Sequence, residues 1–217
     1  MELTTLKIFH TKILHLYKLN DYNSILNLFD SDINTSCTLS STSPTSRIMD
    51  IILENVKFKH SPILSIGSGS GLFEWLLMNK TGLKVVGLDV AQFINIFLNK
   101  QSYIVLKPGQ TIPSIKDLSH LKNFITTQNV QNTEEKEWPF KTLLCVYLRR
   151  PDILAEYISL YGKEIDQILA IGPIQEDPWI YQESKLHEWG NQVMTRRGES
   201  VGLKPYEQLG IFNRKFT

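Results

Sequence analysis

The sequence predicts an α/β domain: a doubly wound, mostly parallel sheet with a C-terminal antiparallel hairpin, preceded by a helical extension. Three observations predict it. Short apolar runs alternate with helical patterns between residues 62 and 171. One of them, Ile63-Leu64-Ser65-Ile66, passes straight into Gly67-Ser68-Gly69-Ser70-Gly71 and then into a helix pattern. A second, Lys84-Val85-Val86-Gly87-Leu88-Asp89, follows and ends on an acid. Strand, glycine loop, helix, strand and terminal acid, in that order, form a nucleotide-handling βαβ unit. Glycines let backbone approach a ligand without a Cβ, and the acid can accept hydrogen bonds from two ribose hydroxyls.

The parallel strands fall at 62–66, 83–88, 103–106, 142–148 and 166–171, each short and continuously apolar, as strands covered on both faces are. Helices are expected between them at 71–80, with Gly82 just past the end, then at 91–100, 114–126 and 151–161, the last stopped by Gly162. Beyond the fifth strand the alternation breaks. Residues 178–190 read as a helix and 192–217 as two strands, a hairpin that brings the sheet to seven. Ahead of the sheet, Leu6, Phe9, Ile13, Leu16 and Tyr17 repeat at helical spacing over 4–19, and Asp21 caps a shorter helix carrying Ile25, Leu26 and Leu28. Residues 31–46, rich in Ser, Thr, Asn and Pro, read as a loop. This divides the chain into an extension, 1–45, and a single α/β unit, 46–217, which begins with a helix carrying Ile48, Ile51, Ile52 and Val56. The extension is expected to cover a cofactor or acceptor pocket.

Composition narrows the function classes. At 217 residues with 42% apolar content the chain is long enough for a full core. Its 23 basic and 22 acidic residues leave a formal charge of +1, which gives no electrostatic reason to expect a nucleic-acid backbone as partner. Cys37 and Cys145 make no disulfide framework, so a reducing compartment, cytoplasmic or nuclear, is the expectation. No apolar run reaches the roughly 18 residues that span a bilayer, and no secretory signal pattern opens the chain. Lys7, Lys12 and Lys18 on the first helix also fit a mitochondrial presequence, but the lack of Arg there and the presence of Glu2 favour a folded helix. The five histidines show no metal-ligand spacing with one another or with cysteine, and no metal is expected.

Two cofactor readings compete for the glycine loop. A dinucleotide fingerprint is GxGxxG, its third glycine allowing close helix–strand packing beside a pyrophosphate. Here the spacing is GxGxG, and Leu72 stands where the third dinucleotide glycine is required. Residues 63–71 instead resemble motif I of class I S-adenosylmethionine-dependent methyltransferases. Asp89, 18 residues after Gly71, with Val-Val-Gly-Leu-Asp-Val around it, is similar to that family's second-strand motif. The resemblance is specific over 62–90 and diffuse over 46–217, where the element order fits a Rossmann-like, seven-stranded methyltransferase sheet.

The resemblance implies S-adenosyl-L-methionine as cofactor. Gly67, Ser68, Gly69, Ser70 and Gly71 would wrap its methionine and ribose portions, Asp89 would hold the ribose hydroxyls and Val90 would lie against the adenine. Gln110, after the third strand, stands where the family usually offers Asp to the adenine amino group. The fourth strand delivers Tyr147, Arg149 and Arg150 to the carboxyl edge, where acceptor and methyl group meet in this family. They are the candidate catalytic residues. Each has a plainer reading: Tyr147 packing in the sheet, Arg149 and Arg150 a solvated pair closing the strand. Trp138, Trp179, Tyr181 and Trp189 are either walls of an acceptor pocket or core and lid packing.

Two departures from the family pattern stand out. Ser65 occupies the position of an acid that helps place the cofactor's methionine end; Glu74 is either its substitute or a helix N-terminal charge favoured by the dipole. The fourth strand lacks the Asn-Pro-Pro-Tyr type of motif of amino-methylating nucleic-acid enzymes, which disfavours a nucleic-acid base as acceptor. The expected activity is therefore methyl transfer to a protein side chain or a small molecule, with a protein partner allowed. A non-catalytic binding or assembly module that keeps the fold is the alternative, supported by Ser65. A nicotinamide-dependent oxidoreductase is third, disfavoured by the glycine spacing.

Overall fold

The computed structural model describes residues 3–34, 37–90, 94–114, 116–121, 124, 138–176 and 185–215. Seven strands, β1 (Ile63–Ile66), β2 (Val85–Asp89), β3 (Tyr103–Val105), β4 (Thr142–Val146), β5 (Gln167–Pro173), β6 (Gly190–Arg197) and β7 (Glu207–Arg214), form one sheet in the order β3-β2-β1-β4-β5-β7-β6. The first five pair in parallel, and β7 runs antiparallel to both its neighbours, as the predicted hairpin requires. The strand order reverses at β1, so the carboxyl ends of β1, β2 and β4 frame a crevice where open α/β sheets bind ligands.

Helices cover both faces. Against one lie α1 (Leu3–Lys18), α2 (Tyr22–Ser31), α3 (Ser46–Asn55) and α4 (Leu72–Thr81); against the other lie α5 (Pro151–Tyr161) and the short α6 (Leu186–Trp189). The period of two along each strand divides the core between these layers. On β1, Ile63 packs with α1–α4 while Leu64 and Ile66 pack with the α5 layer; on β2, Val85 and Val86 divide the same way. Ser65 shares the face of Ile63, the face that α4 covers, and that parity decides what it meets. The extension belongs to this core. Ile13, Ile25, Leu26 and Phe29 are fully buried with α3 and α4. At roughly 2 kcal/mol per buried side chain they hold the extension firmly to the sheet layer.

Local chemistry sets the helix ends. The Asp21 carboxylate accepts the Ser24 N–H at 3.0 Å and starts α2, and the Thr45 hydroxyl accepts the Ile48 N–H at 3.4 Å and starts α3. Gly82, at φ 74°, ends α4 in the left-handed conformation with its N–H on the Met78 carbonyl, the stop the sequence predicts.

Three helix expectations are met only in part or not at all among the described residues. Residues 94–100, read as part of a helix over 91–100, form turns; 91–93 lie outside the described residues. The amides a helix would need are used elsewhere: Ile96 and Phe97 both donate to the Ser70 carbonyl, at 2.9 and 3.1 Å. The Asn95 side chain closes the turn on Leu98, accepting its N–H at 3.0 Å and donating to its carbonyl at 2.8 Å. Sequence periodicity sees the apolar spacing but not this competition for backbone groups. Within the helix expected over 114–126, residues 116–121 hold turns and a 3₁₀ turn at Ser119–Leu121, residue 124 is helical, and 115, 122, 123, 125 and 126 lie outside the described residues. The helix expected over 178–190 is present at Leu186–Trp189, and 177–184 lie outside the described residues.

Gly87, inside β2, serves packing. A Cβ there would come within 2.4 Å of the Leu98 Cδ1 and 2.6 Å of the Ser68 Oγ. Gly87→Ala is expected to cost about 1–3 kcal/mol through overpacking and to displace the glycine loop. Chemical denaturation measures the first effect; an unchanged midpoint would show that Leu98 yields freely.

Candidate functional site

The loop after β1 turns sharply because three of its residues adopt positive φ: Gly67 at 74°, Gly69 at 55° and Gly71 at 80°. Its register is fixed by backbone bonds from Gly67 and Ser68 to the Leu88 carbonyl, at 2.8 and 3.1 Å. Asp89, at the end of β2, clasps it. One carboxylate oxygen accepts the Gly69 N–H at 2.9 Å and the other accepts the Val90 N–H at 2.7 Å. The loop and the acid singled out in the sequence are thus brought together, and Val90 follows with 58% of its surface exposed. Leu72, where a dinucleotide fold needs glycine, is buried in the α4 packing.

Beside the loop lies a cavity of about 470 Å³. Gly67–Ser70 and Glu74 form one wall, and Val146 and Arg149 come from the end of β4. A strap from the extension, residues 37–41, forms the cover, and Lys204 closes it from the approach to β7. The strap is tied down: the Ser70 hydroxyl donates to the Leu39 carbonyl and the Thr45 hydroxyl to the Gly202 carbonyl, the latter at 2.8 Å.

Glu74 is the most unusual group in this wall. It is 1% exposed, accepts a hydrogen bond from the Ser65 hydroxyl at 2.6 Å on Oε1, and has no partner on Oε2. Burial pushes its pKa up to about 7, the Ser65 bond opposing and the charge of Asp89 adding to the rise. Ser65, shown by the sequence as a missing acid, is therefore in contact with a carboxylate supplied from α4, nine residues on. The Ser68 hydroxyl is likewise buried without a partner.

The remaining sequence candidates separate. Tyr147 leaves the sheet at φ 55°, a conformation uncommon for a non-glycine residue, and its hydroxyl donates to Glu207. Glu207 is fully buried and also accepts from the Thr42 hydroxyl at 2.8 Å and the Lys204 N–H at 3.0 Å. Burial raises the phenol pKa and Glu207 raises it further, so Tyr147 is a neutral donor rather than a base at pH 7. Arg149 lines the cavity; Arg150 instead pairs with Asp152 at 2.5 Å in solvent. Gln110 sits in the turn after β3, its Nε2 donating to the Ile112 carbonyl at 2.7 Å and to Asp117 at 2.9 Å, and its Oε1 accepting the Lys107 N–H at 3.2 Å. Trp138 stacks on Tyr161 with ring centroids 3.8 Å apart, in the layer of α5. Trp189 donates to the Gly162 carbonyl at 2.8 Å, also on that face, so neither tryptophan lines the cavity. Trp179 and Tyr181 lie outside the described residues. Burial pushes the Cys145 thiol up to about 12, which leaves it unreactive.

The extension covers the pocket as expected, through residues 37–41, but sequence reading singled out neither the strap residues themselves nor Lys204 and Glu207. Each reaches the site only through contacts between residues far apart in the chain, 165 positions for Thr42 and Glu207, and nothing in their local pattern marks them. Among the described residues no group of three or more His, Cys, Asp or Glu could hold a metal ion, and no helix is long and apolar enough to cross a membrane.

No family model matches the sequence, and no curated protein matches it. Solved structures do. A candidate RNA methyltransferase from Pyrococcus horikoshii superposes with a TM-score of 0.53 at 8% identity, over 91% of this chain and 100% of that one. The fold is that of the class I methyltransferases. Weaker likenesses to the same fold include human N-acetylserotonin methyltransferase in complex with S-adenosylmethionine, at TM-score 0.47 and 9% identity over 77% of this chain and 52% of that one. An RNA methyltransferase from Salinibacter ruber in complex with S-adenosyl-L-homocysteine aligns at 0.45 and 9%, over 78% and 92%. The methyltransferase fold accounts for the sheet order and the antiparallel β7; it leaves the chemistry to the site.

Proposed function

We propose that this chain is an S-adenosylmethionine-dependent methyltransferase whose acceptor is a protein side chain or a small molecule. The observation that carries the reading is the Glu74 carboxylate, buried in the wall of the glycine-loop cavity, hydrogen-bonded by Ser65 on one oxygen and without a partner on the other. A buried unpaired carboxylate oxygen calls for a cationic or donor ligand. The cofactor's methionine ammonium is such a group. Asp89, on the other side of β1, suits the ribose hydroxyls, since its oxygens each retain acceptor capacity beyond the one backbone N–H they hold. Exposed Val90 and Ile94, apolar and beside the loop, suit an adenine face. The residues present therefore fit the cofactor.

The bound cofactor supplies a methyl group already activated by its sulfonium. The chain's part is binding, alignment and exclusion of water. Ser65 orients Glu74, Asp89 fixes the loop and would hold the ribose hydroxyls, and the strap at 37–41 covers the cavity from solvent. The short fourth strand opens the crevice toward the acceptor at Val146, with Tyr147 holding the turn against Glu207 rather than acting as a base.

Calorimetric titration with S-adenosylmethionine, S-adenosylhomocysteine and NAD tests the reading. Micromolar binding of the first two and none of NAD is expected. Binding of NAD alone would give the oxidoreductase reading; binding of none would leave a module that keeps the fold. Transfer of labelled methyl from the cofactor into fractionated cell lysate then identifies the acceptor class.

A further inference from the structure

A second charge in the cavity lacks a counter-ion. Lys204 is 9% exposed and lines the glycine-loop cavity. Among the described residues no carboxylate lies within ion-pairing distance of its ammonium. The acid nearest in sequence, Glu207, takes the lysine's backbone N–H, not its ammonium, and is already held by Tyr147 and Thr42. Tying down Glu207 in this way fixes the loop while leaving the ammonium free. A largely buried lysine with no ion pair suits an anionic ligand.

The surroundings point the same way. Arg149, from the end of β4, lines the same cavity, so two cations face one carboxylate, Glu74, among the lining residues. Thr38, Ser40 and Ser41 on the strap add hydroxyl donors. Cys37, on the strap, lines the same cavity as Lys204. The sheet order then separates two halves of the crevice. Asp89 of β2 lies on one side of β1; β4 with Arg149, and β7 with Lys204 before it, lie on the other. Under the methyltransferase reading, on which this inference rests, the first half belongs to the adenosyl group and the second to the acceptor.

We propose that Lys204 and Arg149 form an anion site for the acceptor, so that the molecule methylated carries a carboxylate or phosphate group docked under the strap. An ammonium and a guanidinium lining one cavity suit such a group: the lysine as a point charge, the arginine as a fork of parallel donors. The anion would anchor the acceptor while its nucleophile reaches the methyl group over Val146.

The test uses the full-length protein saturated with S-adenosylhomocysteine and titrated calorimetrically with inorganic phosphate and with succinate. One of the two is expected to bind, and the preferred one tells phosphate from carboxylate. Lys204→Met, which keeps the apolar stem, should weaken that anion at least tenfold, and the exposed Arg149→Ala about threefold, with S-adenosylhomocysteine affinity changed less than twofold. Lys204→Gln serves if the methionine variant does not fold. Two results overturn the proposal. One is no anion binding to the loaded wild-type protein. The other is a tenfold loss of S-adenosylhomocysteine affinity in Lys204→Met with 5′-methylthioadenosine, which lacks the amino-acid group, bound as before; the cation would then hold the cofactor's own carboxylate. If S-adenosylhomocysteine does not bind at all, the cofactor reading fails by itself. The same anion titrations on the free protein and its variants then decide whether the Lys204 site stands.

Discussion

Glu74→Gln is expected to stabilise the protein above pH 7 and to weaken its cofactor binding. The native chain holds the Glu74 proton up to about pH 7, because burial disfavours the charge, whereas the unfolded chain releases it near 4.5. Between those values the folded state binds more protons than the unfolded one, so stability falls as pH rises, by about 1.4 kcal/mol per pH unit. The contribution is fully present below pH 4.5, declines across the window and is gone above about pH 7, a total of about 3 kcal/mol. Glutamine, neutral throughout, removes this slope. At a few degrees per kcal/mol for a chain of this size, the variant should melt roughly 6–12 °C above the wild type at pH 8 and close to it at pH 4.5. Melting curves across that range check it, and parallel profiles would mean that Glu74 is solvated.

Binding should move in the opposite direction. The proposed ammonium ligand needs the ionised carboxylate, so S-adenosylhomocysteine affinity should rise with pH through about 7 in the wild type. The glutamine variant should show no such rise and bind roughly thirtyfold more weakly at pH 8, about 2 kcal/mol for a lost charge-assisted bond. A gain in stability coupled to a loss in affinity is the signature of a strained functional group, and a merely structural carboxylate would produce only the first.

Asp89→Ala should weaken S-adenosylhomocysteine by about 2 kcal/mol, again roughly thirtyfold. Two losses combine. The ribose acceptor goes, and so does the clasp on the Gly69 and Val90 amides, which holds the glycine loop in its binding conformation. Asp89→Asn keeps the side-chain shape and one acceptor oxygen, so its loss should fall between wild type and alanine. Calorimetry separates the three. Equal affinities would mean that the end of β2 does not face the cofactor, which would overturn the assignment of the whole crevice.

The part of the site written in local pattern was legible. Three glycines at a spacing of two require positive φ, the following apolar helix requires its αL stop at Gly82, and Asp89 closes the second strand; all stand where the sequence puts them. Errors arose where apolar spacing competed with backbone hydrogen bonding. Residues 94–100 carry helical periodicity yet form turns, since the Ser70 carbonyl and the Asn95 side chain take the amides. For Trp138 and Trp189 local pattern left pocket wall and core packing open, and the structure packs both in the α5 layer on the far face.

By itself, the sequence determined the α/β class, the order of the strands along the chain and the glycine loop with its acid, because these depend on interactions within a few residues of one another. The tertiary structure decided what completes the cavity. Ser65 meets Glu74 because the pleat turns it toward α4. Lys204 and the strap at 37–41 share one cavity because β7 inserts beside β5 and the loop before it packs against Thr42 and Thr45. Charge placed across such separations in the chain leaves no local periodicity. Only burial, by stripping water from Glu74, and the shared cavity, which sets Lys204 in its lining, make the two groups conspicuous.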